Sequence, residues 1–253
     1  MAAASPLLKG GTMNDVNEAV RGLTTAPVSA LRYNSRSADP YESSGLLMAM
    51  IPRGARVLDI GCGTGSISGM IRELRGADVL GIEPHPERAK KAETEGIKVV
   101  NGVYSDEIPR DHGRFDIVLF ADVLEHLTDP AHILEQVKSA LAPNGRVLAS
   151  IPNVAHWSVR LRLLAGRFDY RPTGIMDATH LRWFTREGVR RLFHGAGYEI
   201  ERFDAAAGAW MDEYHSTPLR WAPEHRRSFV LSKFCAVAPG LFSVQHVISA
   251  KVR

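Results

Sequence analysis

Hydrophobic residues recur along this chain in two alternating patterns, short apolar runs and longer amphipathic stretches. The runs ARVLDI, DVLGIE, IKVVNG, FDIVLFA and RVLASIP are typical of buried strands. The stretches SISGMIRELRG, PERAKKAETEG and DPAHILEQVKSALAPNG have the spacing of helices. Strands that alternate with such helices predict right-handed βαβ units and a mostly parallel sheet with helices on both faces. The pattern therefore predicts a doubly wound α/β fold.

The segments that flank this alternation follow other patterns. Residues 1–38 are rich in small and polar residues without periodicity, so we predict a mobile N-terminal arm. The helix-like string DPYESSGLLMAMI then opens a single domain over residues 39–253. Residues 153–184, after the fifth strand, and residues 205–228 contain turn formers and aromatic residues. We interpret both as cap segments over the substrate side.

The C-terminal part returns to regular patterns. Thr185 precedes the amphipathic stretch REGVRRLFHGAG, which predicts a capped helix. The strings YEIERFD and SVQHVISAKVR read as strands around the helix-like PEHRRSFVLSKFCAVAPG. A closing pair of strands predicts an antiparallel edge at the C-terminal end of the sheet.

Composition is that of a globular protein. The 253 residues are 45% hydrophobic and 23% charged, enough to bury a core. The net charge of +3 arises from mixed acidic and basic residues, which argues against a nucleic-acid partner. Cys62 and Cys235 form neither a disulfide framework nor a metal motif. Because the chain also shows no export signal and no membrane-length apolar run, we expect a cytoplasmic protein without a membrane partner.

A glycine-rich turn follows the first predicted strand. In ARVLDIGCGTGSIS, Asp59 precedes glycines at alternate positions, Gly61, Gly63 and Gly65. The dinucleotide fingerprint instead spaces its glycines as G-x-G-x-x-G for an anionic pyrophosphate. A carboxylate at the strand end suits a cation, which disfavours a nicotinamide-dependent dehydrogenase and favours S-adenosylmethionine (SAM). Glu83 ends the second strand, where its carboxylate can accept hydrogen bonds from ribose hydroxyls.

Four motifs carry a resemblance to a known family. The strings VLDIGCGTG, GIEPHPE, FDIVLFADVLEHLTDP and LAPNGRVLASIPN, within roughly residues 55–153, resemble successive motifs of class I SAM-dependent methyltransferases. The later PNVAHWSVRLRLLAGRFDY and GIMDATHLRWFTREGVRRLF are similar to bacterial methyltransferases of glycan or secondary-metabolite pathways. The resemblance implies a Rossmann-like fold, SAM as cofactor with S-adenosylhomocysteine as product, and a small-molecule acceptor.

The resemblance also implies which residues contact the cofactor. The glycine loop would line the methionine end, Glu83 the ribose, and the turn NGVYSDE the adenine. Many relatives carry an aspartate after the glycine of that turn, where this chain has Val103, so the backbone of Tyr104 or Ser105, or Asp106, must bind the adenine amino group. The expected cofactor-binding residues are Asp59, Gly61, Cys62, Gly63, Glu83, Pro84, Tyr104, Ala121 and Asp122.

Transfer of a methyl group to an alcohol benefits from a base, and histidine is the usual one. His180, in DATHLRWF, and His156, just beyond the fifth strand, are the candidate catalytic residues, with His126 as a third candidate. A structural role is the alternative for each of the first two. For His180, that role is packing against Trp183 or bonding to Asp177.

The string ADVLEHL offers a metal site as an alternative. On a helical turn, Asp122, Glu125 and His126 would share one face, and this set resembles the E-x-x-E-H ligands of ubiquinone-pathway O-methyltransferases and small-RNA terminal methyltransferases. The plain interpretation is an acidic helix N-terminus near the cofactor. We therefore predict no metal ligand, and a divalent ion is not favoured.

Arginines in the first cap segment suggest an acceptor. Together with Trp157, Trp183 and Phe184, they could bind an anionic or glycosidic substrate. The alternative is a helix face whose arginines are solvated. The arginines are Arg160, Arg162, Arg167, Arg171 and Arg182. We thus expect O-methylation of a hydroxyl on a sugar or glycosylated metabolite. The competing hypothesis is a non-catalytic activator that keeps the SAM fold, similar to methionine-biosynthesis W-type proteins.

Overall fold

The computed structural model describes Leu23, residues 37–215 and residues 218–253. The predicted N-terminal arm therefore lies almost entirely outside the described residues. None of the described helices combines the length and the apolar character that crossing a bilayer requires.

The strands form one seven-stranded sheet in the order β3–β2–β1–β4–β5–β7–β6. Neighbours from β3 to β5 pair in parallel, whereas β7 pairs antiparallel to both β5 and β6. The doubly wound, mostly parallel sheet and its antiparallel C-terminal edge are thus confirmed. The strands span β1 (Arg56–Ile60), β2 (Asp78–Glu83), β3 (Lys98–Asn101), β4 (Phe115–Ala121), β5 (Leu141–Pro152), β6 (Tyr198–Ala206) and β7 (Gln245–Val252).

Helices cover both faces of the sheet. In chain order they span α1 (Ser43–Met50), α2 (Ser66–Arg75), α3 (Pro86–Thr94), α4 (Glu107–His112), α5 (Pro130–Gln136), α6 (Trp157–Leu164), α7 (Arg186–Gly195), α8 (Asp212–His215), α9 (Glu224–Val237) and α10 (Pro239–Phe242). Single 3₁₀ turns occupy Leu124–His126, Val137–Ala140 and Pro218–Trp221.

The described residues include two large hydrophobic clusters, to which successive side chains of the central strands contribute in turn. Val57 packs in one hydrophobic cluster while its neighbour Leu58 packs in the other, and both are fully buried. Since successive strand residues point to opposite faces, an apolar run buries both faces at once. The buried carboxylates Asp59 and Glu83 lie toward the carboxyl ends of β1 and β2, beside the other candidate residues.

The helix predicted over DPAHILEQVKSALAPNG is shorter than expected. Helix α5 ends at Gln136, and β5 begins at Leu141, which pairs with Phe115 of β4. Pro143 cannot continue a helix, and Asn144 takes a left-handed backbone with φ +64°. Strand pairing therefore overrides the helical periodicity after residue 140. The short helix α4 was not predicted.

Candidate active site

A cavity of about 750 Å³ opens at the carboxyl ends of the strands. Most of the expected cofactor-binding residues line it: Asp59, Gly61, Cys62, Gly63, Glu83, Ala121 and Asp122. Residues from both predicted cap segments also line it, among them His180 and Trp210. A doubly wound sheet places its ligands at this edge, where the chain order of the strands reverses between β1 and β4.

The glycine loop has a backbone conformation that favours glycine. Gly61, Gly63 and Gly65 all have positive φ, between +58° and +80°. A Cβ on Gly61 would lie 2.8 Å from Cγ2 of Val123, so β1 and the segment after β4 approach too closely for a side chain. A Cβ on Gly63 would meet nothing within 4 Å. The loop is therefore packed at Gly61 and open toward the cavity at Gly63.

Asp59 presents an unused acceptor atom. Its Oδ2 accepts a hydrogen bond from the Ser68 hydroxyl at 2.5 Å, while Oδ1 is buried and has no partner among the described residues. Burial, together with the nearby Glu83 carboxylate, raises the pKa of Asp59 to about 7 despite the Ser68 bond. A cationic ligand group could donate a hydrogen bond to Oδ1 of Asp59, which is the role that we predicted for this carboxylate from the sequence.

Glu83 joins the end of β2 to the glycine loop. Its two oxygens accept the backbone N–H groups of Gly63 and His85, each at 2.9 Å. Burial raises its pKa, while these two bonds and the charge of Arg88 oppose the rise. Because each carboxylate oxygen has a second lone pair, Glu83 can still accept hydrogen bonds from a ligand.

Two of the expected cofactor-binding residues do not line the cavity. Tyr104 is 7% exposed and packs in a hydrophobic cluster, with its hydroxyl 3.2 Å from Ser139 Oγ. Neither Tyr104 nor Pro84 lines the cavity. The ring of Tyr104 is part of the core, so the predicted contact of this residue with the adenine stays one for its backbone.

Asp122 sits at a strained position after β4. It is a non-glycine residue in the left-handed region, with φ +56°. Its Oδ1 accepts hydrogen bonds from Ser150 Oγ of β5 at 2.9 Å and from Gln245 Nε2 of β7 at 2.6 Å. Burial raises the pKa of Asp122 in spite of these bonds. Sequence reasoning missed Gln245, because only the antiparallel insertion of β7 brings it beside β5.

A carboxylate and two imidazoles meet next to Asp122. Glu125, His126 and His180 each offer a ligand atom within 4.8 Å of the others. Both carboxylate oxygens of Glu125 are buried without a hydrogen-bond partner in the described chain, and His180 Nε2 lies 4.0 Å from one of them. Burial and the charge of Asp122 raise the pKa of Glu125 well above its usual value. This set of donor atoms could hold a divalent transition-metal ion.

The composition of this cluster differs from the metal set considered above. Asp122 precedes the 3₁₀ turn Leu124–His126, so the expected helical face from residue 122 does not form. His180 takes its place in the cluster, because the backbone N–H groups of Leu181 and Arg182 donate to the Glu125 carbonyl at 2.9 Å. The cap segment thereby brings His180 to the cavity, with its Nδ1 3.0 Å from the Ile175 carbonyl oxygen.

His156 occupies a structural position. It is fully buried outside the cavity and forms the N-cap of α6. Its Nδ1 lies 2.9 Å from Ser158 Oγ and its Nε2 3.1 Å from the hydroxyl of Tyr214. Burial, with the charge of Arg162, lowers its pKa to about 4. The geometry thus gives His156 no access to a substrate in the cavity, and the catalytic expectation for it has no structural support.

The cap arginines are bonded within the protein and do not line the cavity. Arg162 and Arg171 contact Glu213, and Arg167 contacts Asp169. Arg160 donates to the Ala155 carbonyl, and Arg182 to the Thr128 carbonyl. Their partners satisfy the forked donors that an anionic substrate would need. The expectation that these arginines bind the acceptor is therefore corrected.

Comparisons with known proteins agree with this geometry. A family model described as a methyltransferase domain matches residues 35–202. The chain is 31% identical over 173 residues to the ubiquinone biosynthesis O-methyltransferase of Azorhizobium caulinodans, covering 62% of this chain and 66% of that protein. It is 39% identical over 108 residues to the protein of the same name from Xanthomonas axonopodis, covering 40% of this chain and 45% of the relative. The chain thus spans about half to two thirds of these relatives' length.

A solved structure shares the fold. A chain in the complex between the Haloferax volcanii Trm112 methyltransferase activator and a methyltransferase superposes with a TM-score of 0.57. The alignment covers 85% of this chain and 91% of that chain at 18% identity. At such low identity the likeness concerns the fold alone.

Proposed function

The chain belongs to the methyltransferase-domain family of class I SAM-dependent methyltransferases, and from that premise we propose that it methylates a hydroxyl oxygen of a small-molecule acceptor. The observation that carries the proposal is that one cavity joins the Asp59–Glu83 end of the glycine loop to the Glu125–His180 cluster. A cofactor half and a proton-accepting half therefore face the same space.

The residues of the glycine loop fit SAM. The unpartnered Oδ1 of Asp59 would bind the ammonium group, the open side of Gly63 would admit the methionine end, and Glu83 would accept the ribose hydroxyls. When bound, SAM supplies a methyl group on a sulfonium that is already activated for transfer. The protein is left to position the acceptor and to receive its proton.

His180 is our candidate for the residue that receives the proton. It lines the cavity and its Nδ1 is engaged with the Ile175 carbonyl oxygen, which directs Nε2 toward the Glu125 side. A positioned base of this kind contributes about 10²–10⁴-fold to rate. Glu125 would stabilise the imidazolium that forms.

An aromatic hydroxyl fits the cavity better than the sugar expected from the sequence. The arginines on which the sugar expectation rested are bonded elsewhere, whereas Trp210 and Ile175 give the cavity an apolar wall. The name of these relatives, ubiquinone biosynthesis O-methyltransferase, supports oxygen as the acceptor atom and a quinone-related ring as the acceptor.

A metal-assisted form of the same reaction is the second candidate. The Glu125–His126–His180 cluster favours it, because the unpartnered Glu125 carboxylate would suit a bound divalent ion. The deciding experiment measures methyl transfer to a catechol after exhaustive chelation. Transfer that survives excludes a required metal and supports the metal-free reaction, whereas transfer that is lost and then restored by Mn²⁺ assigns the cluster to a metal.

Methyl transfer itself separates an enzyme from an activator of the methionine-biosynthesis W type. The purified protein should bind SAM in calorimetry and release S-adenosylhomocysteine when catechols are added. Binding without product formation across a broad panel of phenols and sugar alcohols would favour the activator. Failure to bind SAM would contradict both.

A further inference from the structure

The two halves of the cavity differ in charge. Arg88, on α3 after β2, is the only lysine or arginine among the described residues that line it, and its charge acts on Glu83. In the sheet order, β1 and β2 carry Asp59 and Glu83, which we assign to the methionine and ribose parts of the cofactor, while β4, β5 and β7 form the other half, with Ala121 and Asp122 at the boundary. In the described part of the chain, no guanidinium or ammonium group lines that second half.

Carboxylates line the second half without a lysine or arginine as counter-ion, and the basic groups near them there are imidazoles such as that of His180. Asp122 accepts hydrogen bonds only from neutral groups, those of Ser150 and Gln245. Glu42, which is 4% exposed, accepts the backbone N–H groups of Gly208 and Ala209 at 3.0 and 2.9 Å. These donors are neutral, so they bond to Oδ1 of Asp122 and to both oxygens of Glu42 but cancel no charge.

Glu125 supplies a second and independent indication of a ligand. It is 1% exposed, lines the cavity, and keeps both carboxylate oxygens without a hydrogen-bond partner in the described chain. A buried carboxylate without donors is costly, so a ligand that brings a donor or a positive charge would stabilise it. A ligand that brings another negative charge would not.

We propose that the acceptor half of the cavity selects uncharged or cationic acceptors and excludes carboxylated or phosphorylated ones. This inference rests on the proposed function and names the charge class of the acceptor. An anionic acceptor would leave water with no lysine or arginine to pair with and would approach the carboxyl groups of Asp122 and Glu125, a combination that protein interiors avoid. A neutral hydroxyl compound would instead donate hydrogen bonds to the Glu125 carboxylate.

The electrostatic potential in this half can be tested with charged thiol reagents, and the test does not require the acceptor to be known. Thr173 is exposed and lines the cavity, so Thr173→Cys introduces a reactive thiol with little change in size. Val237, 85% exposed at the end of α9 and outside the cavity, provides the reference variant Val237→Cys. The native thiols of Cys62 and Cys235 are buried, and burial raises their pKa, so the unmodified chain serves as the blank.

For each variant, we compare the rates at which cationic and anionic methanethiosulfonate reagents modify the introduced thiol, and the measured quantity is the ratio of the two rates. A chelator is present so that no bound ion masks the carboxylates. We expect the ratio at Thr173→Cys to exceed that at Val237→Cys by about tenfold, the lower end of what a cleft of one charge sign does to association rates. Equal ratios, or a larger ratio at Val237→Cys, would overturn the proposal.

Two further substitutions assign the effect to the cavity. In the Thr173→Cys background, Glu125→Gln should lower the ratio, and so should Glu224→Gln, which alters an exposed cavity residue at the start of α9 and leaves the core intact. The matched control Glu187→Gln, on an exposed face of α7, should leave it unchanged. SAM binding is measured separately by calorimetry, so a failure of the proposed function is distinguished from a failure of charge selection.

Discussion

The carboxylate of Glu83 accepts the backbone N–H of Gly63 at 2.9 Å, which ties the end of β2 to the middle of the glycine loop. The residue that we assign to the ribose therefore also fixes the segment that we assign to the methionine end. A substitution of Glu83 should weaken the binding of both the ribose and the methionine end of the cofactor. For this reason it is the most informative position in the cofactor half.

Replacing Glu83 should weaken cofactor binding. In Glu83→Ala, the loss of charge-assisted hydrogen bonds should cost about 1.5–3 kcal/mol, or roughly 10- to 100-fold in the Kd for SAM measured by calorimetry. Glu187→Ala, which removes an exposed glutamate of α7, is the control and should leave the Kd unchanged. An unaltered Kd in Glu83→Ala would refute the ribose role.

The first two loop glycines should separate folding from binding. Gly61→Ala combines a positive φ with a Cβ 2.8 Å from Val123, so thermal unfolding should show a loss of about 2–4 kcal/mol. Gly63→Ala meets open space and should lose only about 1–2 kcal/mol from its backbone conformation. Its added methyl group instead points into the cofactor half, and calorimetry should show weaker SAM binding. Equal stability losses would contradict this account.

Cofactor binding should depend on pH through Asp59. Its pKa is raised from 3.8 to about 7, so the cofactor-free protein is most stable with Asp59 protonated and loses that stability as the pH rises from about 4 to 7. The ionised carboxylate binds the ammonium group, so SAM affinity should increase as the pH rises from 6 to 8. Asp59→Asn should bind about 10- to 100-fold more weakly at pH 8 and lose this dependence. A wild-type affinity that is flat with pH would contradict the assignment.

His180 should matter for turnover and not for cofactor binding. His180→Ala removes the candidate base, so we expect kcat to fall about 10²–10⁴-fold while the Kd for SAM stays near that of the wild type. His156→Ala is the comparison, because His156 is buried outside the cavity. That variant should be less stable yet keep its kcat at temperatures where it is folded. Full turnover in His180→Ala would remove His180 from the mechanism.

His156 should contribute to sensitivity to acid. Its pKa is lowered to about 4 in the folded protein, whereas the unfolded chain takes up a proton near 6.5. The unfolded state therefore binds more protons in that window, and stability should fall as the pH drops from 6.5 toward 4. His156→Asn keeps a side chain that can cap α6 but cannot titrate. Its melting temperature should change less than that of the wild type over this range, and an identical slope would exclude the assignment.

Local chemistry explains what could be predicted from the sequence. The apolar runs, the alternate glycines and the strand-end carboxylates Asp59 and Glu83 are features of neighbouring residues, so periodicity and spacing reveal them. The helix predicted through residue 145 was too long, because the pairing of Leu141 with Phe115 outweighs a local preference. Boundaries of this kind depend on partners distant in the chain.

The arrangement of residues in the acceptor half depends on contacts between segments that are distant in the sequence. His180 was singled out as a histidine among aromatic neighbours, but its position beside Glu125 follows from backbone bonds between the cap and the 3₁₀ turn. The cap arginines formed a persuasive pattern, yet acidic groups such as Glu213 already pair with them. Neither pairing is visible without the fold. Long-range partners therefore decide whether a charged side chain is available to a ligand.

The bond between Gln245 and Asp122 also bears on how the protein matures during synthesis. Because β7 inserts between β5 and β6, the sequence of β1 to β5 would leave the ribosome well before Gln245 could reach Asp122. Until then Asp122 lacks one of the two side chains that hold its left-handed backbone, and β6 has no neighbour in the sheet. A nascent chain would thus contain the glycine loop early, whereas the bond between Gln245 and Asp122 would form only once β7 is in place.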